Sequence, residues 1–470
     1  MKTKTMLTTA VLSLTIGSLW AQTAAPKTYD FNLQQCINYA IEHQTTVLNA
    51  AIDQQIAAAK VKETIGIGLP QISGTANFQD YLKSPTILFP DFIGPAISGY
   101  INNNVTDKDG NKLTVNTPNG QGGFQEVNFQ QKYNSSVGLS VNQLLFDGSY
   151  LVGLQASKTY KELSEKNLRR SKIETTVAVT KAFYMVLVNN KQLDLLNANI
   201  EQLKAQLDQT QALFDNGFAE KIDADRLRVI YNNLKTEKQN IERSLEVGKS
   251  MLKFQMGMPI ADSLTLSGSI EDVKLDKSAV TKDSTAYQNR IEYSLAQTSI
   301  KLNQLDLKRY KSQFLPSLAA FGSGSYQYQN NNFKNLYDKS FPSVVVGLQL
   351  NVPIFSGGQR YQKVKQAELT VKKSQNDLLQ AKNSINLDIE NSLTTYTNSL
   401  NSLESQQRNL DLANEVLRVT KIKYEQGVGS SLEVTQAQTS LKEAQNNYIN
   451  ALYNALVSKV DTEKATGLIQ

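Results

Sequence analysis

Residues 193–217 read LDLLNANIEQLKAQLDQTQALFDNG, and residues 403–427 read LESQQRNLDLANEVLRVTKIKYEQG. In the first stretch Leu193, Ile200, Leu207 and Phe214 recur every seven residues and run into Asp215-Asn216-Gly217. In the second, Leu403, Leu410, Leu417 and Tyr424 do the same and run into Glu425-Gln426-Gly427. The offset between the two sets is 210 throughout, and it holds past the glycines: Leu227, Leu234, Ile241 and Leu245 fall on Ala437, Ala444, Ala451 and Ala455. A spacing of seven is the mark of a coiled-coil seam, because it keeps one helix face turned to its partner. A repeated pair of long helical hairpins in one chain predicts a tubular or bundled assembly rather than an enzyme.

Working outward, both halves carry the same parts in the same order, over 31–257 and 285–470. Each opens with a short helix, roughly Leu33 to Thr64 and Ala286 to Ser312, and stops at Leu69-Pro70 or Leu315-Pro316. Proline lacks the N–H that would continue a helix, so an extended segment is expected after it. Strands are predicted at about 69–82, 129–147, 315–328 and 341–356. The second of each pair is the clearer. Val137, Leu139 and Val141 alternate with Gly138, Ser140 and Asn142, and Val346, Leu348, Leu350, Val352 and Ile354 alternate with Gly347, Gln349, Asn351 and Pro353. A soluble sheet on a core gives this pattern, and so does a barrel strand with lipid outside and water inside. Between the first two strands, residues from about Pro85 to Gly123 read as a long loop, with a shorter one around Asn330 to Lys339.

Each clear strand ends in Phe-x-Gly, at Phe146-Asp147-Gly148 and Phe355-Ser356-Gly357-Gly358. Long helical hairpins follow, at about 149–256 and 358–466, reversing at Gly217 and Gly427. Nearly seventy helical residues make a rod of roughly 100 Å. A rod of that length requires a coiled coil or the wall of a tube.

The remaining composition excludes more than it adds. Lys2 and Lys4, the apolar run Leu7 to Leu19, and Leu19-Trp20-Ala21 predict a secretory leader over 1–21 and a mature chain over 22–470. The run is too short for a comfortable membrane anchor. Cys36 is the sole cysteine, so no intrachain disulfide forms, and it reads as a half-buried apolar position on the Leu33, Cys36, Ile37, Ala40 helix face. The formal charge of +6 is scattered among Glu, Asp and Gln, a solvated surface with no nucleic-acid stripe. His43 is the sole histidine and is expected on a solvent face. Neither a Cys/His/Asp cluster nor a phosphate loop is evident, so no catalytic, cofactor or metal residues are predicted. Asp107-Lys108-Asp109-Gly110-Asn111 faintly suggests a calcium loop but lacks the later glutamate, and reads as a turn.

Together these parts resemble the TolC family of bacterial outer-membrane efflux proteins. The resemblance rests on Leu33-x-x-Cys-Ile-x-x-Ala40, the Leu-Pro pairs, the strands ending in Phe-x-Gly, and the turns Phe214-x-x-Gly217 and Tyr424-x-x-Gly427, and it covers essentially the whole mature chain. One departure is Asn289-Arg290-Ile291-Glu292, where the family commonly has Arg-Pro-Glu. The resemblance implies a mostly helical protomer with a coiled-coil α-barrel and four β-strands, three copies of which close a twelve-stranded membrane barrel. Four strands cannot close alone, and open edges are not tolerated in lipid. It further implies an exit duct in the outer membrane of a Gram-negative bacterium, reaching into the periplasm. Its partners would be a periplasmic adaptor and an inner-membrane transporter of RND or ABC type. The alternative is a soluble periplasmic coiled-coil structural or adaptor protein, which usually has one hairpin rather than two in register with strand pairs.

Within that reading Val137, Leu139, Val141, Val346, Leu348 and Leu350 face lipid. Phe214, Gly217, Tyr424 and Gly427 form the periplasmic tip. The resemblance places the acidic residues of a gate at Asp223 and Glu433; a second acidic position falls on Gln436, while Asp225 lies close to Asp223. Equally, Asp223 and Glu433 can serve as caps at helix starts, where a carboxylate satisfies free N–H groups.

Overall fold

A computed structural model describes residues 27–90, 93–115, 124–127, 130–270, 273–275 and 285–469. The expected leader, with Lys2, Lys4 and Trp20, lies outside these residues. In chain order the elements are β1 (Thr28–Phe31), α1 (Leu33–His43), α2 (Thr45–Ile67), β2 (Gln71–Asp80), β3 (Ile87–Pro90), α3 (Ile93–Asn104), β4 (Phe124–Val127), β5 (Tyr133–Phe146), α4 (Gly148–Asp215), α5 (Lys221–Met256), β6 (Ser263–Leu266), α6 (Ile291–Ser312), β7 (Ser317–Asn330), β8 (Ser340–Asn351), α7 (Gln359–Glu425) and α8 (Ser431–Ala465). Among the described residues no helix is long and apolar enough to cross a membrane. The chain divides into two units, one of 1–52, 166–294 and 380–470, the other of 53–165 and 295–379.

In the first unit the heptads do what their spacing requires. Leu207 of α4 is buried with Leu227, Leu234 and Ile241 of α5, and Leu410 and Leu417 of α7 with Ala437 of α8. A second row, Leu196 and Leu203, completes the α4–α5 seam. Two rows per seven residues are what a helix needs to interlock with its partner. A further core gathers Cys36 and Ala40 of α1, Val179, Phe183 and Val186 of α4, Leu252 and Met256 of α5, and Leu456 and Val460 of α8. Cys36 is fully buried rather than half-buried, and burial pushes its thiol up to about 12.

The first short helix is interrupted. Asn32 and Gln35 close a reciprocal capping box at the start of α1, and α1 ends at Gln44, whose backbone is extended. The Gln44 amide donates to the Phe254 and Gln255 carbonyls at the end of α5, which a continuing helix would have prevented. There Gly257 turns with φ +70, and a Cβ would lie 2.6 Å from the His43 carbonyl oxygen. Nearby, β1 pairs in parallel with β6, and Lys253 donates to the Ile260 and Asp262 carbonyls. His43 is exposed and stacks on Tyr39.

In the second half α6 begins at Ile291, the position where the resembling family commonly has proline. Arg290 just ahead of it is 8% exposed in its side chain and donates to Glu292 at 2.9 Å, Asp388 at 2.8 Å and the Ala465 carbonyl at 3.1 Å. One guanidinium thus ties the start of α6 to α7 and the end of α8.

The second unit holds an antiparallel sheet in the order β2-β5-β7-β8. Its central pair, β5 with β7, joins the two repeats, with Leu139 opposite Gly324 and a bulge between Leu144 and Phe146. The segment expected as a plain loop after β2 carries elements of its own: β3 pairs with β4, and α3 lies between them. Ile93, Ile97 and Ile101 recur every four residues there, a helical period within a Gly- and Asn-rich composition. Asp107 accepts the backbone N–H groups of Asp109 and Asn111, and Gly110 has φ +83, so this stretch is a turn closed by its own aspartate.

Candidate functional site

The hairpin ends come first. Each long helix stops at a glycine in the left-handed region, Gly217 at φ +79 and Gly427 at φ +75. At the first, the N–H of Gly217 donates to the Phe214 carbonyl and that of Phe218 to Leu213; at the second, Gly427 donates to Tyr424 and Val428 to Lys423. This paired reversal satisfies the last helical carbonyls and needs a residue without a Cβ penalty. Phe214 and Tyr424 are half-buried above the turns.

The acidic residues are placed unequally. Both are the third residue of their helices. Glu433 is exposed; its backbone N–H, at 3.2 Å, is capped by the Ser430 hydroxyl. Asp223 is only 20% exposed in its side chain; its carboxylate accepts the Ser431 hydroxyl from α8 and lies 3.7 Å from Arg226. Glu220, the N-cap of α5, makes no side-chain cap. Asp225 pairs with Arg228 at 3.0 Å, and Arg228 reaches back to Gln211 of α4 at 2.8 Å. A cavity of about 560 Å³ opens beside these turns, lined by Gln206, Gln209, Phe218, Asp223, Lys421 and Glu425. Burial there lowers the Lys421 ammonium's pKa, against the pull of Glu425.

Toward the turns, beyond the apolar core that α1, α4, α5 and α8 share, polar side chains join the two hairpins. Asn199 and Gln206 of α4 meet Gln445 and Gln438 of α8, and Lys442 pairs with Glu237 of α5. These amides repeat at seven residues on both helices, running in opposite directions. Reading only the apolar positions misses them; the same heptad count applied to Asn and Gln finds them. Polar surfaces can separate and be rewetted at far lower cost than a leucine seam.

The sheet has one mostly apolar and one mostly polar face, the polar one also carrying Leu144, Phe321, Val345 and Phe341. Ile72, Val141, Gly322 and Val346 share one level on one face, and Gly74, Leu139, Gly324 and Val344 the next. The expected lipid-facing residues all lie on this face and all are exposed, from Val141 at 37% to Leu139 at 63%, Leu348 at 69% and Val346 at 81%. On the other face stand Ser73, Asn77, Ser136, Ser140, Asn142, Ser325, Gln327 and Gln349, with Ser73 and Ser140 hydrogen-bonded at 2.7 Å. Rings gather at the loop end of the strands, where Phe78, Tyr133 and Phe333 meet edge to face or stacked, and Tyr328 meets Tyr337. An apolar exposed band with aromatic rings at its border is the surface that lipid selects.

The sequence pattern of the outer membrane efflux protein family matches residues 96–244 and 284–468, more than half of the chain. This chain belongs to the outer membrane efflux protein family. Its place is the outer membrane. Among relatives, the outer membrane protein TolC of Vibrio cholerae is 23% identical over 343 residues, 71% of this chain and 77% of that protein. The alkaline protease secretion protein AprF of Pseudomonas aeruginosa is 23% identical over 342 residues, 72% of this chain and 70% of that protein. The solved structure of CusC has the same fold, with a TM-score of 0.73 at 16% identity over 96% of this chain and 95% of that one. These relatives are outer-membrane, efflux and secretion proteins, and no enzyme family is indicated by them.

Proposed function

We propose that this protein is the outer-membrane exit duct of a tripartite efflux or type I secretion system. It passively conducts substrates handed over by an inner-membrane transporter of RND or ABC type and a periplasmic adaptor. The observation that carries the reading is the sheet: β2 and β8 are edges without a pairing strand among the described residues, and its apolar face is open. Lipid does not tolerate unpaired strand edges, so the sheet must close with other copies. A homotrimer gives twelve strands, with the polar face turned to a water-filled lumen and the hairpin ends at the periplasmic mouth. The secretion role named for AprF supports the secretion arm, and the efflux family supports the efflux arm.

Membrane fractionation and native mass measurement test the reading. The expected product is a trimer extracted from the outer membrane by detergent. Recovery of a soluble periplasmic monomer would overturn it.

A further inference from the structure

We propose that the sheet section of the duct sorts cargo by width and not by charge, with the Phe321 ring, its tip over Gly347, setting the width. This rests on the polar face being the lumen. The strands themselves contain one charged residue, Asp80 at the far end of β2, and it falls on the opposite face from Gln79. Every other position facing inward is an amide, a hydroxyl, a small residue or apolar. A wall of neutral dipoles neither attracts nor repels a cargo by its charge, since fields of either sign require fixed charges nearby. What remains is size.

At the level of Gln71, Asn142, Phe321 and Gly347 one large side chain enters this face. Phe321 stands directly opposite Gly347 in the β7–β8 pair. A Cβ on Gly347 would lie 2.7 Å from Phe321 Cζ and 2.9 Å from Cε1, so the tip of the ring occupies the space above the glycine. The glycine thus leaves the slot that keeps the ring against the wall. Any side chain at 347 must tip the ring into the lumen, and closure by three copies would repeat that narrowing around the axis.

The test uses a cysteine below this level. Asn351→Cys places a thiol on the same face, four residues nearer the helices than Gly347. Maleimides carrying polyethylene glycol of graded size are added outside intact cells, and the largest that labels is recorded. The native Cys36 is fully buried and its thiol is pushed up to about 12, so it does not compete. Gly347→Ala should lower the size limit and Phe321→Ala should raise it. The double variant should match Phe321→Ala, since no ring is left to displace. An unchanged limit in Phe321→Ala overturns the proposal, as does a double variant that stays narrow. Should Gly347→Ala fail to assemble, Phe321→Ala alone decides. Should Asn351→Cys resist even the smallest maleimide while Leu350→Cys is labelled, the lumen assignment itself fails, which is a different result from an unmoved limit.

Discussion

The carboxylate of Asp223, at the start of α5, accepts a hydrogen bond from the hydroxyl of Ser431, at the start of α8. The two hairpin ends are thereby joined by a charge-assisted bond, and Arg226 donates to the same hydroxyl at 3.5 Å. Hydrogen bonds to charged groups contribute about 1.5–3 kcal/mol. With the polar amide rows and the Lys442–Glu237 pair above it, this bond resists separation of the hairpin ends, beyond the apolar core that the hairpins share.

Ser431→Ala should therefore loosen the tip without disturbing assembly. A loss of about 1–2 kcal/mol shifts a closed-to-open ratio roughly 5- to 30-fold. Planar-bilayer recordings of the purified protein should show more frequent or larger openings. Recordings indistinguishable from the unaltered protein would mean that the Asp223–Ser431 bond does not hold the tip.

The reversals should be intolerant of β-branched residues. Gly427 has φ +75, where an L side chain costs roughly 1–2 kcal/mol and a branched one more. Gly427→Val is expected to reduce export while trimers still form. The measurement is export in a strain where this duct is the only one, beside detergent-resistant trimer yield. Normal export would count against the turn as gate or docking tip.

Charge selectivity should depend on Glu433 more than on Asp223. Three copies would set both around one axis, but Asp223 is already paired with Arg226 and Ser431, whereas Glu433 is exposed. Like charges in a constriction attract cations. The reversal potential in a salt gradient should show cation preference, reduced by Glu433→Ala more than by Asp223→Ala and most in the double variant. A double variant with undiminished preference would show that neither residue lines the pore.

The two faces of β8 should respond oppositely to charge. Leu348→Arg, on the apolar face, is expected to cost about 2–4 kcal/mol if it lies at the bilayer midplane. Gln349→Arg, on the polar face, should be mild. Trimer yield in the outer membrane reads both, and the reverse ranking would invert the assignment of faces.

Acid should weaken the join at Arg290. Burial alone would raise the Glu292 carboxyl, but the hydrogen bond and charge of Arg290 outweigh it and hold the carboxyl below its usual range. A carboxylate whose folded pKa is depressed contributes stability above its unfolded value, about 4.3, and loses it as pH falls through the lower folded value. Heat resistance of the trimer should therefore fall below about pH 4, and Glu292→Gln should flatten that fall. Arg290→Ala should be the more damaging change at neutral pH, on the order of 2–3 kcal/mol, because Glu292 and Asp388 lose their partner. An acid response identical in Glu292→Gln would assign it to other groups.

Much of the protomer was legible because it follows from periodicity. The heptads ending at Gly217 and Gly427 fix two reversing helical hairpins, since a seven-residue apolar repeat has one way to be buried. The alternation through Leu139 and Leu348 fixes strands with unlike faces, since successive side chains point to opposite sides. The doubled order of these parts carries the family. Other features depended on what each segment meets in three dimensions. The break at Gln44 arises because its amide is taken by carbonyls of α5, more than two hundred residues away. The helix and strand pair within the long loop were masked by Gly- and Asn-rich composition. Asp223 and Glu433 are equivalent in the repeat, and their sequence neighbours do not separate them. Only the docking of α5 against α8 gives Asp223 a serine partner and leaves Glu433 in solvent. Likewise the register of β7 with β8, a long-range pairing, is what sets Phe321 over Gly347. Sequence determines which elements form and which face of each is apolar, because those depend on near neighbours. Tertiary structure decides which polar groups find partners, because a hydrogen bond depends on a few tenths of an ångström between residues far apart in the chain.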